Sequence, residues 1–100
     1  MTKLNVKTLN CRKLFTVDES TSPCNSKPDL YIGIAENGEL ICIAEWLVTI
    51  SAAWGTRVEY YQISKQEYRQ LLETAKKNGN LQKAVDAGKI TLAYAEQLGR

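Results

Sequence analysis

The sequence predicts an α+β fold, in which a three- to four-stranded antiparallel meander sheet is packed by a C-terminal helix and two short helices. Two apolar runs meet at Asn37-Gly38, a dipeptide typical of β-hairpins. After residue 63 the apolar positions recur at helical spacing instead of alternating. The 100 residues, 44% apolar and 24% charged, suit a single domain over 1–100, with the sheet mainly over 4–63 and helices over 64–98.

The first 28 residues have a weaker pattern. A first strand is expected around Leu4 to Leu9, and either a second extended piece or a short helix around Arg12 to Val17. The segment from Asp18 to Pro28 is rich in Ser, Asn and Pro, which is typical of a surface loop. Cys24 within it is expected to be an exposed thiol.

The hairpin and the strand after it form the centre of the predicted sheet. If Asn37 and Gly38 are a two-residue loop, four isoleucines share one core-facing side of the hairpin. These are Ile32, Ile34, Ile41 and Ile43. The second strand continues to Ile50, residues 51–55 form a connection with Trp54 at its tip, and a third strand follows from Arg57 to Ile63.

The clearest helix is predicted over Ser64 to Asn78. Ser64 and Glu67 stand three residues apart, which is the spacing of a capping box. Tyr68, Leu71, Leu72 and Ala75 recur on one face and are expected to pack on the sheet. Gly79 is expected to end this helix.

Two short helices are predicted after it, one over Leu81 to Ala87 capped by Asn80 and one from Thr91 to Leu98. The segment Val-x-x-Gly-Lys-Ile-Thr-x-x-x-Ala is similar to helix-turn-helix segments of chromosome-partitioning DNA-binding proteins. A DNA-reading helix offers Arg, Lys, Asn or Gln to base edges, whereas Gln97 and Arg100 are the only residues of these types after Thr91. We therefore interpret the segment as a packing hairpin.

Composition argues against most catalytic and metal chemistry. The chain has no histidine, so a Ser-His-Asp or Cys-His arrangement is impossible, and its three cysteines lack Cys-x-x-Cys spacing. We expect no enzyme activity, cofactor or metal. The net charge of +2 is small for a nucleic-acid module. No apolar run approaches the roughly 20 residues of a membrane span and no secretory signal is recognisable, so a cytoplasmic protein is expected.

The predicted partner surface lies at the sheet end. Residues 31–60 hold four glutamates against one arginine, a net charge of −3. Exposed aromatic side chains beside an arginine are typical anchors of protein interfaces. The candidate residues are Glu36, Glu39 and Glu45 as charge complements, Trp54 and Tyr60 as apolar anchors, and Arg57 as a directional donor.

The layout resembles the small α+β immunity proteins of bacterial contact-dependent growth inhibition and related polymorphic toxin systems. A Tyr-Ile-Gly-Ile-Ala-Glu-Asn-Gly-Glu hairpin and a long Trp-bearing strand are followed by Arg-Val-Glu-Tyr-Tyr-Gln-Ile-Ser-Lys-Gln-Glu-Tyr, which leads from strand into helix. The resemblance implies a non-enzymatic inhibitor that binds a cognate protein toxin, often a nuclease.

Two other functions stay open at this point. One is a phage-encoded inhibitor of a bacterial defence complex. The other is a small nucleic-acid-binding regulator that uses Lys76, Lys77, Lys83 and Lys89 with the C-terminal helices. Steep loss of affinity with salt would identify the second, because phosphate binding releases counterions.

Overall fold

The computed structural model describes residues 1–19, 27–50 and 53–100, with only the backbone described at Thr49 and Ile50. Within these ranges the chain is α+β, with an antiparallel sheet in the order β1-β5-β4-β3-β2. The strands are β1 (Thr2–Lys3), β2 (Cys11–Asp18), β3 (Asp29–Ala35), β4 (Leu40–Ile50) and β5 (Ala53–Gln62). The helices are α1 (Lys65–Lys77), α2 (Asn80–Asp86) and α3 (Leu92–Gln97).

The meander of β3, β4 and β5 is confirmed, and it is extended by a strand on each side. β2 pairs antiparallel with β3, and the two-residue β1 pairs with β5. The predicted strand over Leu4 to Leu9 is wrong, because pairing ends at Lys3. Most of the predicted loop, including Cys24, lies outside the described residues. The connection predicted over 51–55 also lies partly outside them, and Ala53 and Trp54 belong to β5.

The β3–β4 turn differs from the two-residue loop by one residue. Ala35 pairs with Glu39, and the Gly38 N–H donates to the Ala35 carbonyl at 2.9 Å. Gly38 has φ of +85°. This is the pattern of a three-residue turn whose last residue is left-handed. Glu36, Asn37 and Gly38 therefore form the turn, and every cross-strand pair shifts by one position.

The shift divides the four isoleucines between the two sheet faces, so the prediction of one shared face is wrong. Ile32 stands opposite Cys42 on the face that packs against the helices, and Ile41 stands opposite Gly33 on the other face. A one-residue slip moves every side chain of a strand to the opposite face. The sheet consequently has two apolar faces.

The helices cover the first face. Tyr68, Leu72 and Ala75 of α1 are buried, and the Tyr68 hydroxyl donates to the Ala95 carbonyl at 2.6 Å. The predicted capping box is confirmed, since the Glu67 N–H donates to the Ser64 hydroxyl and the Ser64 N–H to the Glu67 carboxylate. These bonds fix the start of α1 directly after β5.

The short helices follow the prediction with one difference at Asn80. Thr91 caps α3 by accepting from the Tyr94 N–H at 3.2 Å, as predicted. Asn80 is the first residue of α2 and does not cap it, because its side-chain amide donates to the Val17 carbonyl at 3.1 Å. α2 is thereby attached to the edge strand β2.

The second face is covered by residues 4–10, which we call the strap. It connects β1 at one edge of the sheet to β2 at the other, so it crosses the sheet. The Leu4 N–H donates to the Tyr60 carbonyl at 2.8 Å, and the Asn10 carbonyl accepts from the Glu36 N–H at 3.2 Å. Leu4 and Leu9 pack on the buried side chains of the face, Ile41, Ile43 and Tyr60.

Candidate functional site

β4 and β5 extend beyond the rest of the sheet as a two-stranded ribbon, which we call the arm and define as residues 46–50 and 53–57. The β3–β4 ladder stops where Asp29 pairs with Glu45. The β4–β5 ladder continues from the pair Trp46–Arg57 to the pair Ile50–Ala53. Among the described residues, no third strand joins the arm.

The local sequence explains why the ribbon continues. Residues 46–50 read Trp-Leu-Val-Thr-Ile, all of them aromatic, aliphatic or β-branched residues, and four of the five are strong strand formers. The register of β4 against β5 does not shift over its whole length, so the strands stay regular to Ile50. Cross-strand pairing therefore continues through the whole arm.

One face of the arm is apolar and exposed. Leu47 stands opposite Thr56 and Trp54 opposite Thr49, so Leu47 and Trp54 are diagonal neighbours on the same face. Leu47 is 45% exposed and Trp54 57%. This face continues the side of the sheet that the strap covers nearer β1. Large apolar side chains that are exposed together are typical of interaction surfaces.

The other face of the arm holds the second tryptophan. The Arg57 guanidinium lies 4.3 Å from the centre of the Trp46 ring, which is a cation–π contact. Arg57 and Trp46 are directly paired across the two strands. The contact shields one side of Trp46 from solvent, so the two faces differ in chemistry.

Ion pairs neutralise two glutamates at the base of the arm. Lys13 Nζ lies 2.6 Å from Glu45 Oε1 and 4.1 Å from the centre of the Tyr31 ring. Lys3 Nζ lies 2.6 Å from Glu59 Oε1, and this hydrogen bond lowers the pKa of Glu59. The acidic character predicted for this end of the sheet is therefore largely balanced by lysines from the first 13 residues.

Glu36 and Glu39 lie at the opposite end of β4. Glu36 accepts a hydrogen bond from the Asn10 amide at 3.1 Å, and Glu39 accepts one from the Gln62 amide at 3.3 Å. Ten residues of regular strand separate Glu39 from Thr49, the partner of Trp54, which is roughly 33 Å. The structure does not bring these two glutamates together with the arm.

Of the six candidate residues, the structure places Glu45, Trp54 and Arg57 on or beside the arm. Tyr60 is 9% exposed and lies in the core beneath the strap, so the expectation that it is an exposed anchor is wrong. Sequence reasoning missed Trp46 and Leu47 as surface residues. The strand lengths could have indicated this exposure. β4 is longer than its predicted neighbour β3, so β3 could not cover the end of β4.

The lysines of the nucleic-acid hypothesis do not form one free set. Lys76 contacts the carboxylates of Glu73 and Glu96. Lys77, Lys83 and Lys89 are exposed. Lys83 and Lys89 line a cleft of about 210 Å³ between β2 and α2. Its volume is below the roughly 300 Å³ at which pockets for drug-sized ligands begin.

Within residues 1–19, 27–50 and 53–100, no three cysteine or acidic side chains are grouped as metal ligands would be. None of the helices in those ranges is long and apolar enough to cross a membrane. No protein-family model matches the chain, and neither the curated proteins nor the solved structures include a significant match.

Proposed function

We propose that this protein is a non-catalytic inhibitor that binds and neutralises a protein toxin, and that the apolar face of the arm is its contact surface. The observation that supports this is the exposure of Leu47 and Trp54 side by side on a ribbon outside the core. Among the described residues, neither side chain belongs to the two apolar clusters that form the core. Tryptophan is among the residues that most often dominate binding energy in interfaces.

The expected binding energy favours the apolar face of the arm over the acidic residues as the anchor. Burying an exposed Trp in a partner pocket contributes on the order of 2 kcal/mol or more, and a neighbouring leucine adds to it. Glu36 and Glu39 lie roughly 33 Å from Trp54, several times the 8 Å screening length at physiological salt. They would influence the approach of a basic partner only weakly.

In this proposal Arg57 donates hydrogen bonds that orient the partner on the arm. Its guanidinium is already oriented by the Trp46 ring, so little side-chain entropy is lost when it donates to a partner carboxylate. Glu45 is held by Lys13, and a partner cation would have to compete with that ion pair. We therefore assign the anchoring role to Trp54 and Leu47 and a secondary role to Arg57.

A phage-encoded inhibitor of a defence complex would use the same surface, and only the identity of the partner separates the two proposals. A nucleic-acid regulator is less favoured, because Lys76 is already paired with two glutamates. Binding to nucleic acid would show a steep dependence on salt.

Calorimetry with the purified products of the neighbouring genes tests the proposal, and we expect one of them to bind. Two leucine variants form a matched pair, since Leu47 and Leu92 are both exposed but only Leu47 is on the arm. Trp54→Ala is expected to weaken binding about 30-fold and Leu47→Ala about tenfold, while Leu92→Ala has no effect. Absence of heat with every neighbour, or equal losses for Leu47→Ala and Leu92→Ala, would contradict the proposal.

A further inference from the structure

The arm has an open edge in addition to its apolar face. The Ala35 N–H donates to the Glu39 carbonyl, so Glu39 directs its backbone groups toward β3. Because these directions alternate along a regular antiparallel strand, the odd-numbered residues of β4 do the same. Beyond Glu45, where β3 has ended, these are Leu47 and Thr49. Their N–H and C=O groups face outward, and no strand among the described residues pairs with them.

The composition of this edge is unusual for an exposed strand. Exposed edges are normally protected by charged side chains, proline or β-bulges, which discourage pairing with another chain. Residues 46–50 contain no charge and no proline, and the β4–β5 register shows no bulge. The edge is thus suited to accept a strand.

From this geometry we propose that two copies of the chain pair through the open edges of β4, antiparallel and with Val48 opposite Val48 of the second copy. The two-fold axis then passes between the two valines. Leu47 of each copy stands opposite Thr49 of the other, and the outward groups of these residues form four hydrogen bonds. All five residues from 46 to 50 take part in the pairing, because Trp46 of each copy stands opposite Ile50 of the other.

The charge distribution favours a second copy as the occupant. In a two-fold contact the residue on the axis meets its own equivalent and its neighbours lie close to theirs, so a charge there would be repelled by the same charge of the second copy. The β4 edge has no charged residue between 46 and 50. The outer edge of β5 has Arg57 within the same ribbon, and Gly55 weakens its strand character. Self-pairing is therefore expected at β4 and not at β5.

Edge pairing goes beyond the proposed function but is compatible with it. A two-fold axis perpendicular to the ribbon keeps the same face of both arms on one side. Leu47 and Trp54 of both copies would lie on one continuous four-stranded surface. The contact along the edge itself is short, so the dimer is expected to dissociate on dilution.

Introducing a charged residue at Val48 of the full chain tests this pairing. Sedimentation velocity over a dilution series is expected to show a reversible dimer of the unaltered protein. Val48→Glu and Val48→Lys each place two like charges across the axis, and each is expected to raise the dissociation constant about tenfold or more. An equimolar mixture of the two variants is expected to form a heterodimer, because the charges are then opposite.

The matched controls are Thr56→Glu and Thr56→Lys, which put the same charges on the outer edge of β5 and are expected to leave the dimer unchanged. Should the Val48 variants lose their circular dichroism spectrum, Leu47→Pro replaces them, since it removes an N–H that faces away from β5. A monomer at every concentration, or no heterodimer from the mixture, overturns the inference. Trp54→Ala separates the two proposals, because it is expected to weaken partner binding about 30-fold and to leave the dimer intact.

Discussion

The outer edge of β2 and the open edge of β4 are both strand edges of one sheet, yet they are built in opposite ways. The pairing of β2 with β3 shifts register between Lys13 and Phe15 and again between Thr16 and Asp18. The Val17 carbonyl in the second irregularity accepts two side-chain amides, from Asn78 at 2.7 Å and Asn80 at 3.1 Å. β4 has no such irregularity and no such covering group among the described residues.

The two edges differ in the features that prevent an edge strand from pairing with another chain. Bulges and covering helices are standard ways to stop an edge strand from pairing with another chain. Here they are concentrated on β2, which contributes Phe15 and Val17 to the main core. None of the described side chains of the arm belongs to that core, and the pairing of β4 with β5 stays regular through the arm. We infer that β2 serves stability and the arm serves recognition.

The largest expected difference is between the helix-packed core, to which β2 contributes, and the arm, and the same substitution in each measures it. Leu72→Ala empties a site in the helix-packed core, where Leu72 is 2% exposed, and is expected to lower the free energy of unfolding by about 2–5 kcal/mol. Leu47→Ala on the arm is expected to change it by less than about 0.5 kcal/mol. Urea unfolding of both variants measures the difference. Similar losses would show that the arm is part of the cooperative core.

Alkaline pH should affect the core before the arm. Burial raises the pKa of the Cys42 thiol from 9.0 to about 11. Between these values the unfolded chain releases a proton that the folded chain keeps, so the free energy of unfolding falls as pH rises, by up to roughly 2–3 kcal/mol. Unfolding followed from pH 8 to 11 is expected to show this fall, and Cys42→Ala should reduce its slope. An unchanged slope in the variant would assign the loss to other groups.

The smallest expected effect concerns the protection of β2. Asn80→Ala removes one of the two amides on the Val17 carbonyl and is expected to cost about 1 kcal/mol, because Asn78 still donates. Replacing both asparagines should cost more than the sum of the single changes, since the carbonyl then loses its last donor. Thermal unfolding of the three variants measures this, and strict additivity would count against a shared acceptor.

Much of the fold could be predicted because local chemistry and tertiary packing agree. Ser64 and Glu67 form the predicted capping box, and Tyr68, Leu72 and Ala75 form the predicted buried face of α1. The meander was predicted for the same reason, since β3, β4 and β5 each alternate and follow one another closely. Asn80 shows the limit of this reasoning. Its side chain could cap a helix, but the Val17 carbonyl lies within reach only in the folded chain.

The turn shows why the register was missed. Asn37-Gly38 suits a two-residue turn, yet Gly38 is equally suited to the left-handed last position of a three-residue turn. The Asn37 side chain favours the longer form by accepting from the Glu39 N–H at 3.0 Å. A different error affected the site. Tyr60 was expected at the surface because no pattern in residues 4–10 indicates that they cross the sheet above it.

The three-residue turn also determines how many layers the protein has. An even number of turn residues would put all four isoleucines on one side, leaving a sheet with one apolar face and one polar face. The odd number puts Ile41 and Ile43 on the reverse side, where Leu4 and Leu9 of the strap pack on them. Deleting one turn residue would therefore exchange inside for outside along one whole strand. The turn at 36–38 therefore decides that residues 4–10, which cross the sheet between β1 and β2, lie over an apolar face.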